Sequence, residues 1–227
     1  ATLRALIARV KKALVENSSP IFNAIRLVFR PGGTWAIAAS NHKVAGANFK
    51  SDTQINKVDA LLPVQFLASI EQVLSKLDGE IILGVDSSNL SISAEGIRYS
   101  CLAAIEGPPN VAQLFRTDGL NHIDVDSGEF LSAVKFVQSG VKQDDAHGCV
   151  EVTFLRDGIK ISGKEDGTVA TKIVSQGGAS AIELTQGFKL DYLISGVGKS
   201  KQIRIWFGSQ PMDRVIFEYI DDPINTR

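Results

Sequence analysis

The 227 residues are 44% hydrophobic, 22% charged and 7% aromatic, with a formal net charge of −1. That composition excludes intrinsic disorder and collagen-like repeats, and it supplies enough apolar side chains for one large domain or two of ordinary size. No apolar run reaches the roughly 18 to 20 residues that cross a bilayer. In chain order, Leu3, Leu6, Ile7, Val10 and Leu14 fall on one stripe at about 100° per residue. This predicts an amphipathic helix with Arg4, Lys11 and Lys12 opposite the stripe and Arg9 beside them, stopping near Asn17, Ser18, Ser19 and Pro20. The period then changes to two. Ile25, Leu27 and Phe29 alternate with Arg26 and Arg30, and a Pro31-Gly32-Gly33 turn leads to Trp35, Ile37 and Ala39, the pattern of a hairpin.

Pro63 stands where a first helical residue belongs, and Phe66, Leu67, Ile70, Val73, Leu74 and Leu77 carry a second helix to Gly79. Its outer face holds Gln65, Ser69, Gln72 and Lys76. Ile81, Leu83 and Val85 follow as a strand, and an Asp86 to Asn89 turn leads to Leu90 and Ile92. Asp126, Ser127, Gly128 and Glu129 form a capping-box pattern ahead of a third helix, which buries Phe130, Ala133, Val134, Val137 and Val141 and turns out Lys135 and Lys142. Strands return at Val150, Val152 and Phe154 and, past an Asp157-Gly158 turn, at Ile159 and Ile161, before another turn at Asp166-Gly167. The fourth helix uses Leu190, Leu193, Ile194 and Val197 before Gly198. Lys199 and Lys201 lie at its C-terminal end, where cations suit the helix dipole. Ile203, Ile205 and Phe207 are set to pair with Val215, Phe217 and Tyr219.

Helix starts near Leu3, Val64, Gly128 and Phe188 recur at about 60 residues, which marks an internal repeat of one helix followed by antiparallel strands. A break at Gly107, Pro108 and Pro109 separates two such pairs. The expected fold is α+β, with a first domain over 1–118 including the connector and a second over 119–227, each having two helices packed on antiparallel sheets. The apolar stripes then lie on the sheets and the polar stripes, most of them cationic, face outward.

Cys101 and Cys149 lie far apart with no CxxC, and His42, His122 and His147 are scattered, so no disulfide framework and no metal site is expected. There is no phosphate-binding glycine loop and no nucleophile elbow, and the carboxylate pairs Asp144-Asp145 and Asp221-Asp222 read as loop charges. A binding role without cofactor or catalytic residue is expected, not an enzyme. Arg4 carries charge into the opening apolar pattern, unlike a signal peptide, and Ala1 fits loss of an initiator Met, so the expectation is a cytoplasmic protein.

Phe22, Asn23 and Ala24, then a strand, then Ala38, Ala39, Ser40, Asn41, His42, Lys43, Val44 and Ala45 resemble the middle domain of the bacterial-type β sliding clamp, the DNA polymerase processivity factor. There a Leu-Asn-Gly strand is followed by Ala-Thr-Asp-Gly-His-Arg-Leu-Ala. The His-basic-aliphatic core is kept, and Ala39, Ser40 and Asn41 replace the Thr-Asp-Gly portion. The stretch from Phe130 through Phe188, Leu190, Tyr192 and Leu193 to Tyr219 resembles the C-terminal clamp domain. It lacks that domain's closing Met-Pro-Met-Arg-Leu and ends instead in Tyr219, Ile220, Asp221, Asp222 and Pro223. The likeness runs along nearly the whole chain through scattered positions.

The resemblance implies a ring of six domains, closed in bacteria by two three-domain chains and here by a homotrimer of two-domain chains. It implies sequence-independent binding of double-stranded DNA, tethering of a replicative DNA polymerase and opening by a clamp loader ATPase. It also suggests a phage-encoded protein associated with DNA in the host cytoplasm. Arg4, Arg9, Lys11, Lys12, Lys76, Lys135, Lys142, Lys199 and Lys201 would line the DNA channel, although the same residues also describe ordinary solvated helix faces. A pocket for partner peptides maps to Phe22, His42, Lys43, Val44, Pro109, Leu114, Phe217 and Tyr219, and the subunit seam to Tyr99, Cys101, Phe136 and Val137. Two other readings remain open: a non-ring relative or fragment that binds peptides, and an unrelated α+β protein that binds small molecules.

Overall fold

Leu3, Leu6, Ile7 and Val10 are all buried, so α1 (Thr2–Val10) forms where their spacing places it, and a 3-10 turn over Lys11–Ala13 ends it. The computed structural model describes residues 2–14, 20–51, 57–77, 79–86, 88–94, 96–104, 107–108, 111–139, 149–165, 168–175, 183–198, 200–222 and 224–226. The expected helix stop at Asn17 to Ser19, the turn at Asp166-Gly167, and Pro109, Val141, Lys142, Asp144, Asp145, His147, Lys199 and Pro223 lie outside these residues. The chain divides into two units, residues 1–113 with 223–226 and residues 114–222 with 227.

In the first unit, β1 (Ala24–Arg30) and β2 (Gly32–Ala39) form the expected hairpin, with Gly32 at φ 87° in the left-handed position that a turn after Pro31 requires. β3 (Val44–Ser51) and β4 (Val58–Pro63) flank it. Pro63 does not open a helix. At φ −66° and ψ 140° it closes β4, and a 3-10 turn over Val64–Phe66 leads into α2 (Leu67–Lys76). The fixed φ of proline fits an extended strand end as well as a helix start, and pairing with Ala24 decides between them.

β5 (Ile82–Val85), β6 (Asn89–Ala94) and β7 (Ile97–Leu102) form a three-stranded antiparallel sheet. In the β5–β6 turn the Asp86 carboxylate accepts the N–H groups of Ser88 and Asn89 at 2.8 and 2.7 Å. Those hydrogen bonds hold its pKa below the usual carboxylate value. Arg26 grips Asp59 with Nε and Nη2 at 3.0 and 2.7 Å and donates from Nη1 to the Pro108 carbonyl at 3.0 Å, which fastens the stretch after β7 to the first sheet.

The second unit repeats the order. β8 (Asn121–Asp126) runs directly into α3 (Ser127–Ser139), which Asp126 caps by accepting the Glu129 N–H at 2.9 Å. β9 (Cys149–Phe154), β10 (Gly158–Glu165), β11 (Thr168–Ser175) and β12 (Leu184–Lys189) form a sheet in the order β11-β10-β9-β12. α4 (Leu190–Val197) leads to β13 (Gln202–Phe207) and β14 (Val215–Tyr219), whose register matches Ile203 with Tyr219, Ile205 with Phe217 and Phe207 with Val215. The chain then departs from the expected second domain: β15 (Asn225–Thr226) pairs with β3, and Ile224 enters the first core at 8% exposure. The first unit's larger sheet thus has the order β15-β3-β2-β1-β4.

Each unit has its own core. In the first, α1 packs on β2 and β3; in the second, α3 packs on β10 and β11, and Phe154 stacks on Phe207 with ring centroids 4.1 Å apart. The fold is α+β, with four α-helices on four antiparallel sheets among the described residues. No helix of the described residues is long and apolar enough to cross a membrane.

Candidate nucleic-acid interface and strand edges

α1 and α2 lie side by side in the first unit. With the 3-10 turn after α1 they carry Arg4, Arg9, Lys11, Lys12 and Lys76 against a single carboxylate, Glu71. Arg4, Lys11, Lys12 and Lys76 are exposed and Arg9 is half-buried. Lys11 is already engaged: its Nζ lies 2.7 Å from Glu71 Oε1 and 2.9 Å from Oε2. That pair is partly solvated, so it is worth little in stability. Its effect is on the surface field, since it neutralises one of the five cations. The second unit differs from the expected pattern of cationic helix faces. α3 exposes Glu129 and Lys135, and α4 exposes Asp191 with no cation of its own; Lys201 is exposed just beyond α4. Positive charge among the described helices is concentrated on the first unit.

The expected pocket residues divide between the units. Antiparallel register places the lead into β1, with half-buried Phe22, at the same end of the first sheet as the β2–β3 turn, which carries exposed His42 and half-buried Lys43 and Val44. The Ser40 N–H donates to the Lys43 carbonyl at 2.8 Å and closes that turn. In the second unit Leu114 is exposed, whereas Tyr219 is a core residue and Phe217 packs edge-on against Phe130 with centroids 6.1 Å apart. Pairing with Ile203 and Ile205 turns both rings to the inner face of the sheet.

The residues expected at a subunit seam also separate. Val137 is fully buried and Cys101 is 7% exposed, both within cores, and burial raises the Cys101 thiol pKa. Tyr99 is half-buried against the first core, and Phe136 is 53% exposed. The sequence pattern does not single out two exposed residues of β11. Val169 and Ile173 share one face of β11, an edge strand, and are 60% and 55% exposed. The first unit offers a second apolar edge at β7, where Ile97 is 55% and Leu102 65% exposed. Large exposed aliphatic side chains on an open edge are what a pairing strand would cover. Among the described residues no group of three or more His, Cys, Asp or Glu gathers as metal ligands.

No protein-family profile matches the sequence, and no curated protein matches it. Solved structures do match in fold. The DNA polymerase sliding clamp from Bacillus subtilis aligns with a TM-score of 0.84 at 17% identity, over 99% of this chain and 60% of its own. A DNA polymerase sliding clamp from Pseudomonas aeruginosa gives 0.85 at 16% identity, over 99% and 62%. The Helicobacter pylori β clamp, solved with a bound DNA ligase peptide, gives 0.78 at 12% identity, over 99% and 62%. Taken with its two repeated α+β units, the chain has the fold of the bacterial DNA polymerase sliding clamps, over nearly all of its own length and about 60% of theirs.

Proposed function

We propose that the chain is a DNA sliding clamp, a binding protein and not an enzyme, whose copies join head to tail into a ring around duplex DNA. The observation that carries this reading is the pair of strands that are sheet edges among the described residues and expose aliphatic side chains, β7 in one unit and β11 in the other. An edge of one copy that pairs with the different edge of the next is a heterologous contact, and a heterologous contact closes into a ring when its rotation allows. Three copies of two clamp-type units supply the six domains of such a ring. The basic faces of α1 and α2 then meet phosphates without reading bases, which suits a protein that slides. A polymerase is the partner tethered, and an ATP-driven loader opens the ring. Solution mass tests the assembly: three chains are expected, and a single chain at tens of micromolar protein would overturn the ring.

Partner capture is assigned to the end of the first sheet at Phe22, His42, Lys43 and Val44, and exposed Leu114 of the second unit is tested as a separate position. The precedent is the Helicobacter pylori clamp with its ligase peptide. A short peptide carrying Gln followed by Leu and Phe is expected to bind. Val44→Asp and Leu114→Asp are each expected to weaken it at least tenfold, because a carboxylate buried in an apolar contact without a partner costs on the order of several kcal/mol. Calorimetry on the three proteins decides each position separately, and equal affinity in a variant removes that residue from the contact.

A further inference from the structure

The residues three and four places from Glu71 along α2 are Leu67, Ala68, Leu74 and Ser75, so no neighbour at those helical spacings balances its charge. The balancing cation comes from the end of the other helix. Lys11, in the 3-10 turn after α1, places Nζ 2.7 Å from Glu71 Oε1 and 2.9 Å from Oε2, across 60 residues of sequence. Both side chains reach solvent, Lys11 at 43% and Glu71 at 25% exposure, and a pair so solvated contributes little to the fold. Its consequence is electrostatic: it sets the one carboxylate of α1, α2 and that turn against one of five cations, on the face where positive charge collects.

A lysine ammonium is a compact point charge whose donors a carboxylate and a phosphate oxygen satisfy in the same way, so the two acceptors compete for it. We propose that Glu71 is a brake on the DNA grip: it keeps Lys11 in the ion pair when duplex DNA lies on α1 and α2, and so withholds one phosphate contact. This inference rests on the clamp reading and adds to it the residue that regulates the DNA-facing surface. Moving Lys11 to a phosphate would leave the Glu71 carboxylate bare beside a polyanion, and like charges at that range repel, so the exchange gains little. A ring that encloses its DNA has no need of a tight hold, and each phosphate contact that must break and re-form slows its travel. Withholding one contact favours sliding over sticking, while Arg4, Arg9, Lys12 and Lys76 keep the face attractive to DNA.

The test uses the full chain and linear duplex DNA, with two readouts. In a salt series Glu71→Gln is expected to steepen the slope of log affinity against log salt by about 0.9, the share of one phosphate, so that a difference absent near 1 M salt grows to about eightfold tighter binding at 0.1 M. Adding Lys11→Gln to that variant is expected to return the slope to the parent's, because the released ammonium is gone. The second readout is brief acetylation of lysine amines, located by mass spectrometry. DNA is expected to protect Lys12 and Lys76 in the parent while leaving Lys11 as reactive as before, and to protect Lys11 as well in Glu71→Gln. The proposal is overturned if Glu71→Gln keeps the parent's slope, if the steeper slope survives Lys11→Gln, or if DNA protects Lys11 equally in parent and variant; protection of Lys12 and Lys76 in those cases leaves the DNA-facing surface standing. If DNA protects none of the three lysines, the face does not meet DNA and the clamp reading of it fails together with the brake.

Discussion

Reversing Arg4, Lys12 and Lys76 together to glutamate should lower affinity for linear duplex DNA by about two to three orders of magnitude at 0.1 M salt, and shorten the lifetime of the protein on circular DNA. For a protein that neutralises Z phosphates the binding constant falls with salt as roughly the −0.9Z power, so three contacts contribute about 500-fold between 1 M and 0.1 M salt. The slope of log affinity against log salt should shrink by about three, uniformly across DNA sequences. These positions are exposed, so unfolding free energy should move by no more than about 0.5 kcal/mol. Lys11 is left out because Glu71 holds it at 2.7 Å, and a carboxylate placed there would repel Glu71. A salt slope identical to that of the parent would show that the α1–α2 face does not meet DNA.

The four helices were legible because burial follows a 3.6-residue spacing that needs no knowledge of the partner surface: Leu3, Leu6, Ile7 and Val10, or Phe130, Ala133, Val134 and Val137. The strands were legible where apolar residues alternate and a turn residue stands between them, as around Pro31-Gly32 and Asp157-Gly158. β3 was not, since Val-Ala-Gly-Ala-Asn-Phe-Lys-Ser is largely small residues whose strand state comes from pairing with β2. β4 was obscured by Pro63, and β12 by Gln186 and Gly187, the first of which is buried and donates to the Gln210 and Asp213 carbonyls. β15 has two residues and no periodicity at all.

Of the candidate site, the exposure of its cations was legible, because that depends only on which side of a helix faces solvent. Arg4, Lys12, Lys76 and Lys135 are exposed as expected. The Lys11–Glu71 pair joins two helices far apart in sequence, and no single helical wheel shows it. Val137, expected at a seam, sits on the same buried stripe as Phe130 and Val134. Val169 and Ile173 are exposed because they alternate with Ala170 and Val174, which face the core, and which face of β11 is covered is set by packing that local pattern does not carry.

Those edge residues set the second large expectation. In the ring proposed above, Phe136→Asp combined with Ile173→Lys should convert an assembly of three chains into single folded chains. Phe136 and Ile173 expose more than half their surface, so the folded chain loses little, whereas a contact that buries both loses two apolar anchors and acquires charges. Central interface anchors are worth about 2 to 4 kcal/mol each, so the pair weakens each contact by roughly three to six orders of magnitude. A closed ring requires every seam at once, and no partial ring gains from closure. Sedimentation at micromolar protein should therefore show one chain, with a cooperative melt still near that of the parent. Val137→Ala is the opposing control. It should leave the mass of the parent assembly unchanged and lower stability by about 2 kcal/mol, because it opens space in the second core and touches no edge. If the double variant keeps its mass, the copies do not meet at β11; if Val137→Ala dissociates while folded, the seam runs through the helix face and not along the strand edge.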